Sequence, residues 1–104
     1  MTPFTASIVE VVRSIPEGKL MTYGAVAAAA GQPRAARQVV RVLHSMGESR
    51  GLPWHRVMNA GRRISLPGDG GELQLALLAA EGTEPGLDGC FDESRFMRAD
   101  QARA

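Results

Sequence analysis

The sequence predicts a mainly α, winged helix-turn-helix-like single domain with a short β-hairpin wing. Three observations carry that expectation. A short Ala-rich segment and a longer amphipathic one are separated only by Gly31-Gln32-Pro33, the spacing of two helices joined by a tight turn. Residues 31–63 carry seven Arg against Glu48 alone, a local +6 inside a chain whose total is +1. Finally, Val57-Met58 and Arg63-Ile64 flank the turn sequence Asn59-Ala60-Gly61-Arg62, the pattern of a small hairpin.

Each element follows from its residues. Thr2 or Thr5 can cap a first helix carrying Phe4, Ile8, Val12 and Ile15 at helical spacing, and Pro16-Glu17-Gly18 ends it. Thr22 reads as the N-cap of a short helix from Tyr23 to Ala30, with Gly31 just past its end. Its Ala25-to-Ala30 stretch has almost no bulk and can lie close against a neighbour. Tyr23 at its start is expected at the helix end rather than buried. Gln32-Pro33 opens the next helix, since Pro is tolerated in a first turn. At 100° per residue, Ala35, Val39, Val42, Leu43 and Met46 fall on one side and Arg34, Arg37, Gln38, Arg41 and Ser45 on the other. Gly47 stops it. Asp69-Gly70-Gly71-Glu72 has the form of a capping box ahead of Leu73, Leu77 and Leu78, placing a last helix up to about Glu81. Phe91 and Phe96 are available to pack back on the core. The domain is expected over residues 1–96, with 97–104 a flexible tail.

Composition narrows the classes. A chain of 104 residues supports one domain, and 44% hydrophobic with 22% charged residues is ordinary for a globular protein. No apolar run suits a membrane span, and no basic flank precedes an apolar run at the start, so a cytoplasmic protein without membrane contact is expected, nucleoid-associated when on DNA. Cys90 stands alone, which excludes an internal disulfide and fits a reducing compartment. Two histidines and one cysteine at unrelated spacings are too few for a metal site, and no cofactor motif is present. Residues 64–104 carry three Arg against eight acids, a local −5 that hides the basic middle third in the total. That basic segment is the footprint of a nucleic-acid surface; its alternative is a solvated face with counter-charges nearby.

The most informative stretch is Leu52-Pro53-Trp54-His55-Arg56-Val57-Met58. Pro53 forces a bend, and Trp54, the chain's only Trp, comes directly after it and outside any apolar period. A lone Trp commonly closes a small core. Here, however, Pro53-Trp54-His55-Arg56-Val57 resembles the Pro-Cys-His-Arg-Val signature of the DNA alkyltransferases that act on the O6 position of guanine. Ile15-Pro16-Glu17-Gly18-Lys19 with Thr22-Tyr23-Gly24, Pro33-Arg34-Ala35-Ala36-Arg37, and Leu77-Leu78-Ala79-Ala80-Glu81-Gly82 resemble further blocks of that family, from about Phe4 to Gly82. With Trp at the cysteine position, the chain resembles the alkyltransferase-like proteins, which do not transfer the alkyl group. The fold implied is that of the alkyltransferase C-terminal domain.

That resemblance implies a non-enzymatic sensor of O6-alkylguanine in duplex DNA, a monomer that flips the damaged nucleotide and flags it for nucleotide excision repair through a UvrA-like sensor. By resemblance, Tyr23 crowds the 3′ phosphate and Arg37 fills the vacated stack, with an ordinary phosphate contact as the alternative for Arg37. Thr22, Arg34, Ala35, Ala36 and Arg41 complete the DNA-binding set, with the helix laid in the minor groove. Trp54 and Val57 form the lesion pocket. His55 and Glu81 stand where the enzymes activate their cysteine; here they and Arg56 are expected to be structural. Three departures stand out: Val40 and Arg41 replace small residues, Met46-Gly47 replaces Asn-Pro, and the loop Leu66-Pro67-Gly68-Asp69 differs from that of the enzymes.

The chemistry agrees. Alkyl transfer needs a thiolate that keeps the alkyl carbon, and an indole offers no such atom. It does offer a flat face on which a flipped base can stack, worth about 1–3 kcal/mol. Two other readings compete: a residual alkyltransferase using Cys90, whose setting suits an incidental thiol better, and a winged-helix regulator without lesion preference, for which no dimerisation helix is evident.

Overall fold

The computed structural model describes residues 1–102. Helix α1 (Pro3–Arg13) is capped by Thr2, whose hydroxyl accepts the Thr5 N–H at 3.1 Å, with Pro3 in the first turn. It stops two residues before Ile15, which turns inward and is buried. Gly18, with φ +85°, carries the chain round to β1 (Met21–Thr22). Helix α2 (Tyr23–Ala29) is capped by Thr22, whose hydroxyl accepts the Ala25 N–H at 3.1 Å. Gly31 ends it at φ +102°, and the Gln32 and Gly31 N–H groups return to the Ala27 and Ala28 carbonyls in a Schellman arrangement.

Helix α3 (Ala36–Met46) begins later than expected. Pro33 and Arg34 lie in a turn closed by the Ala35 N–H on the Gln32 carbonyl, and Ala35 keeps a non-helical φ of −103°. The apolar stripe is as expected: Val39, Val42 and Leu43 are buried, while Arg37 and Arg41 are exposed. The α2–α3 pair forms the helix-turn-helix, and its Ala-rich first member packs closely on the second.

The hairpin wing is not present among the described residues. Instead β2 (Val57–Met58) pairs in parallel with β1, Met21 opposite Val57 and Thr22 opposite Met58. The turn after Asn59 does form, with Arg62 at φ +59°, and Arg62, its last residue, bonds to a distant segment. The Arg62 carbonyl accepts the Phe91 N–H at 2.9 Å, and the Arg62 guanidinium donates to the Phe91 carbonyl at 3.2 Å. The Arg63 N–H is engaged by the Asn59 side-chain oxygen at 3.3 Å, and Arg63-Ile64 does not pair with Val57-Met58.

The small parallel ribbon divides the interior in two. Side chains alternate across a strand, so Met21 and Val57 join the helical core with Ile8, Val12, Val26, Val39 and Leu43. Leu20 and Met58 instead face a second cluster with Leu78 and Phe91, against which Phe96 and Ile64 pack. Burying each such aliphatic or aromatic side chain is worth about 1.5–3 kcal/mol.

Helix α4 (Gly68–Ala80) departs from expectation at its start. Its N-cap is Pro67, without a side-chain cap, so Asp69 and Glu72 form no capping box. Its buried positions are Gly71, Gln74 and Leu78, whereas Leu73 and Leu75 are exposed. No helix is long and apolar enough to cross a membrane among the described residues. Residues 97–102, expected as tail, are tied to the domain. The Met97 N–H donates to the Leu20 carbonyl at 2.8 Å, a 3₁₀ turn spans Ala99–Gln101, and Met97 and Ala102 pack on the helical core. Residues 103 and 104 of the expected tail lie outside the described residues.

Candidate nucleic-acid interface

The site begins at Pro53. Its φ of −76° and ψ of 58° make an inverse γ-turn, closed by the Trp54 N–H on the Leu52 carbonyl at 2.8 Å. One 3₁₀ turn (Trp54–Arg56) then leads directly into β2. This short path is braced from three sides. Gln74, buried in α4, donates to the His55 carbonyl at 3.1 Å and to the Val57 carbonyl at 3.0 Å. Arg56 donates to both carboxylate oxygens of Glu81 and, through Nη1, to the Ile15 carbonyl at 2.7 Å. His55 Nε2 lies 2.9 Å from Glu81 Oε2, and with the carboxylate ionised that nitrogen is the donor. The Arg56 guanidinium, and secondarily His55, hold the Glu81 carboxyl below its ordinary range. His55, Arg56 and Glu81 thus form one hydrogen-bonded cluster.

Trp54 is held half-buried by this frame. Its ring meets the His55 imidazole edge-on, with centroids 6.2 Å apart. Gly47 backs it, since a β-carbon there would lie 3.0 Å from the Trp54 Cβ. In front of the indole is a cavity of about 380 Å³. Tyr23 and Trp54 contribute its aromatic surfaces, Val40, Leu43, His44 and Glu48 come from α3 and its end, and Leu66, Pro67, Gly70 and Leu73 close the far side. The wall is mostly apolar. Burial raises the pKa of the Tyr23 hydroxyl, so the phenol stays protonated and can donate.

The structure places the expected residues unequally. Tyr23 stands at the first position of α2 and is half-buried, reaching the same cavity as Trp54 rather than projecting freely. The Thr22 hydroxyl is engaged in capping. Ala35 and Ala36 sit where the turn enters α3, and Arg34, Arg37 and Arg41 are exposed with no carboxylate partner among the described residues. Val57 is the misplaced one: it is fully buried in the helical core and does not line the cavity, because β2 pairing turns its side chain inward. The loop residues Leu66 and Pro67, singled out as a departure, do line it.

Sequence reasoning misses Leu43, His44, Glu48, Leu73 and Gln74. It assigns α3 only an inner and an outer face, whereas Val40, Leu43 and His44 share a flank at helical spacing that points to the cavity. A signal for Gln74 does exist: an amide on the 71/74/78 stripe of an otherwise Leu- and Ala-rich helix. The basic surface is also smaller than the Arg count suggests. Arg56 is spent on Glu81 and Arg62 on the Phe91 carbonyl, which leaves Arg34, Arg37, Arg41, Arg50 and Arg63 exposed, the first four in or near α3. Cys90 lies against Asp88 and the Gly61 carbonyl, and it does not line the cavity.

Comparison with known proteins agrees with this arrangement. A DNA base-flipping protein of Escherichia coli K12 is 45% identical over 93 residues, covering 89% of this chain and 72% of that protein. Alkyltransferase-like protein 1 of Schizosaccharomyces pombe is 38% identical over 65 residues, 62% of this chain and 60% of that one. A methylated-DNA–protein-cysteine methyltransferase of Salmonella typhimurium is 40% identical over 73 residues, which is 70% of this chain but 42% of the enzyme. Among solved structures, S. pombe Atl1 in complex with damaged DNA containing O6-carboxymethylguanine superposes with a TM-score of 0.81 at 30% identity, covering 94% of this chain and 97% of that one. The family model described as "6-O-methylguanine DNA methyltransferase, DNA binding domain" matches residues 3–83, and the chain belongs to that family.

Proposed function

We propose that this chain is a non-enzymatic reader of O6-alkylguanine in duplex DNA. It flips the damaged nucleotide out of the stack, holds it against Trp54 and transfers nothing. The observation that carries the reading is the cavity itself: an aromatic, largely apolar recess beside the exposed Arg helix, with an indole at the bend where a transferase would need a thiolate. Extruding a base costs a few kcal/mol, less when damage weakens its pairing, so a stacking wall worth about 1–3 kcal/mol suffices to favour lesions. Tyr23 and Arg37 are the wedge and the plug; Arg34 and Arg41 hold phosphates. The S. pombe structure with damaged DNA and the base-flipping name of the E. coli relative support the assignment.

The bound, distorted complex then serves as a flag for nucleotide excision repair through a UvrA-like sensor, in the cytoplasm and on the nucleoid. This step rests on family resemblance.

Fluorescence titration through Trp54 tests the central claim. Duplexes with O6-methylguanine should bind more tightly than plain duplexes and quench the indole, and the protein's mass should not change afterwards. Equal affinity for the two duplexes, or a mass gain equal to the alkyl group, would overturn it. Trp54→Ala should lower the preference by about 1–3 kcal/mol.

A further inference from the structure

We infer that the cavity selects uncharged, apolar O6 substituents, and that Glu48 is the residue that turns anionic ones away. The inference rests on the base-reading function proposed above and names the lesion class of that same site. Val40, Leu43, Leu66 and Leu73 present hydrocarbon to the recess, and neither Lys nor Arg lines it. The one carboxylate in the lining is Glu48, exposed just beyond the end of α3. It makes no side-chain hydrogen bond and no ion pair among the described residues, so its charge is not neutralised by a neighbour.

An alkyl chain entering such a recess gains from every methylene it buries, about fourfold in affinity each. A carboxylate entering it leaves water, finds no Lys or Arg and meets a like charge, while the hydrogen bonds that the Tyr23 hydroxyl and the His44 ring can give are open to a neutral substituent as well. Unpaired charges in apolar surroundings are strongly disfavoured, and like charges add to the penalty. The DNA in the S. pombe complex carries O6-carboxymethylguanine. This chain should discriminate against that same group.

Competition titration with five duplexes tests the point: guanine, O6-methylguanine, O6-butylguanine, O6-carboxymethylguanine and its neutral isostere O6-carbamoylmethylguanine. Butyl should exceed methyl, and the carbamoylmethyl lesion should bind at least about tenfold more tightly than carboxymethyl. Glu48→Gln should lower that ratio severalfold, leaving the part that desolvation alone imposes, and Glu48→Lys should lower it further. The readout is the ratio between the two isosteres, in which any general change in DNA affinity cancels. A wild-type ratio near one, or a ratio that Glu48→Gln leaves unmoved, overturns the inference while methyl and butyl preference over guanine keeps the base-reading function. If no alkylated duplex outcompetes guanine, both fall.

Discussion

Arg56 and Glu81 form a two-point ion pair in which Nε donates to Oε1 at 3.0 Å and Nη2 to Oε2, while Nη1 of the same guanidinium holds the Ile15 carbonyl at 2.7 Å. One side chain therefore ties the end of α1, the Trp54 bend and the end of α4 together. Both partners are only 12–13% exposed, so neither charge is well served by water if the other is removed. The pair is part of the brace that holds the Trp54 bend in place.

Glu81→Gln should destabilise the domain by about 2–4 kcal/mol, because it strands the Arg56 charge. Urea denaturation measures this, and a loss below about 0.5 kcal/mol would show the pair to be dispensable. The pH dependence comes from the depressed Glu81 carboxyl. A folded-state value below the unfolded one gives stability that is complete above the ordinary carboxylate range and is lost as pH falls through the lower folded value. The wild type should therefore lose stability steeply in acid. Glu81→Gln should show a shallower curve, shaped by Asp88 and Asp92, whose carboxyls are held low chiefly by the Cys90 and Ser94 N–H groups.

Gln74→Leu preserves volume but deprives the His55 and Val57 carbonyls of their donor. The expected cost is about 1–3 kcal/mol, the penalty for leaving buried polar groups unpaired. Hydrogen exchange should locate the loosening at residues 54–58. Unchanged stability would mean that water replaces the amide there.

Gly47→Ala inserts a methyl group 2.5 Å from the Leu43 carbonyl oxygen and 3.0 Å from the Trp54 Cβ, so the backbone at the end of α3 must shift. Overpacking of this kind costs about 1–3 kcal/mol. A loss in that range is expected, together with a shifted Trp54 emission maximum. An unaltered spectrum would show that the bend yields without moving the indole.

Arg37→Ala and Tyr23→Ala should reduce the preference for lesions over plain DNA. Arg34→Ala and Arg41→Ala should lower affinity for every duplex and reduce the slope of log affinity against log salt by about one each. Anisotropy titrations across a salt series separate the two patterns. The opposite pattern would mean that the plug and the phosphate contacts are exchanged along α3.

The caps at Thr2 and Thr22, the Gly31 helix stop and the inner stripe of α3 were all legible in the amino-acid order, because each is decided within a few residues. Resemblance supplied the roles of Tyr23, Arg37 and the His55–Glu81 contact. Tertiary structure alone decided the rest. Val57-Met58 had two candidate partners, a nearby strand across a turn and Met21-Thr22 far back in the chain. The second is the one formed, and parallel pairing there lets alternate side chains serve both cores. That pairing turned Val57 away from the cavity, while the packing of α3 and α4 brought Leu43, Glu48 and Leu73 to it. Helix periodicity marks which side of a segment is apolar. Which neighbour that side meets depends on contacts between residues dozens of positions apart, and no local pattern records them.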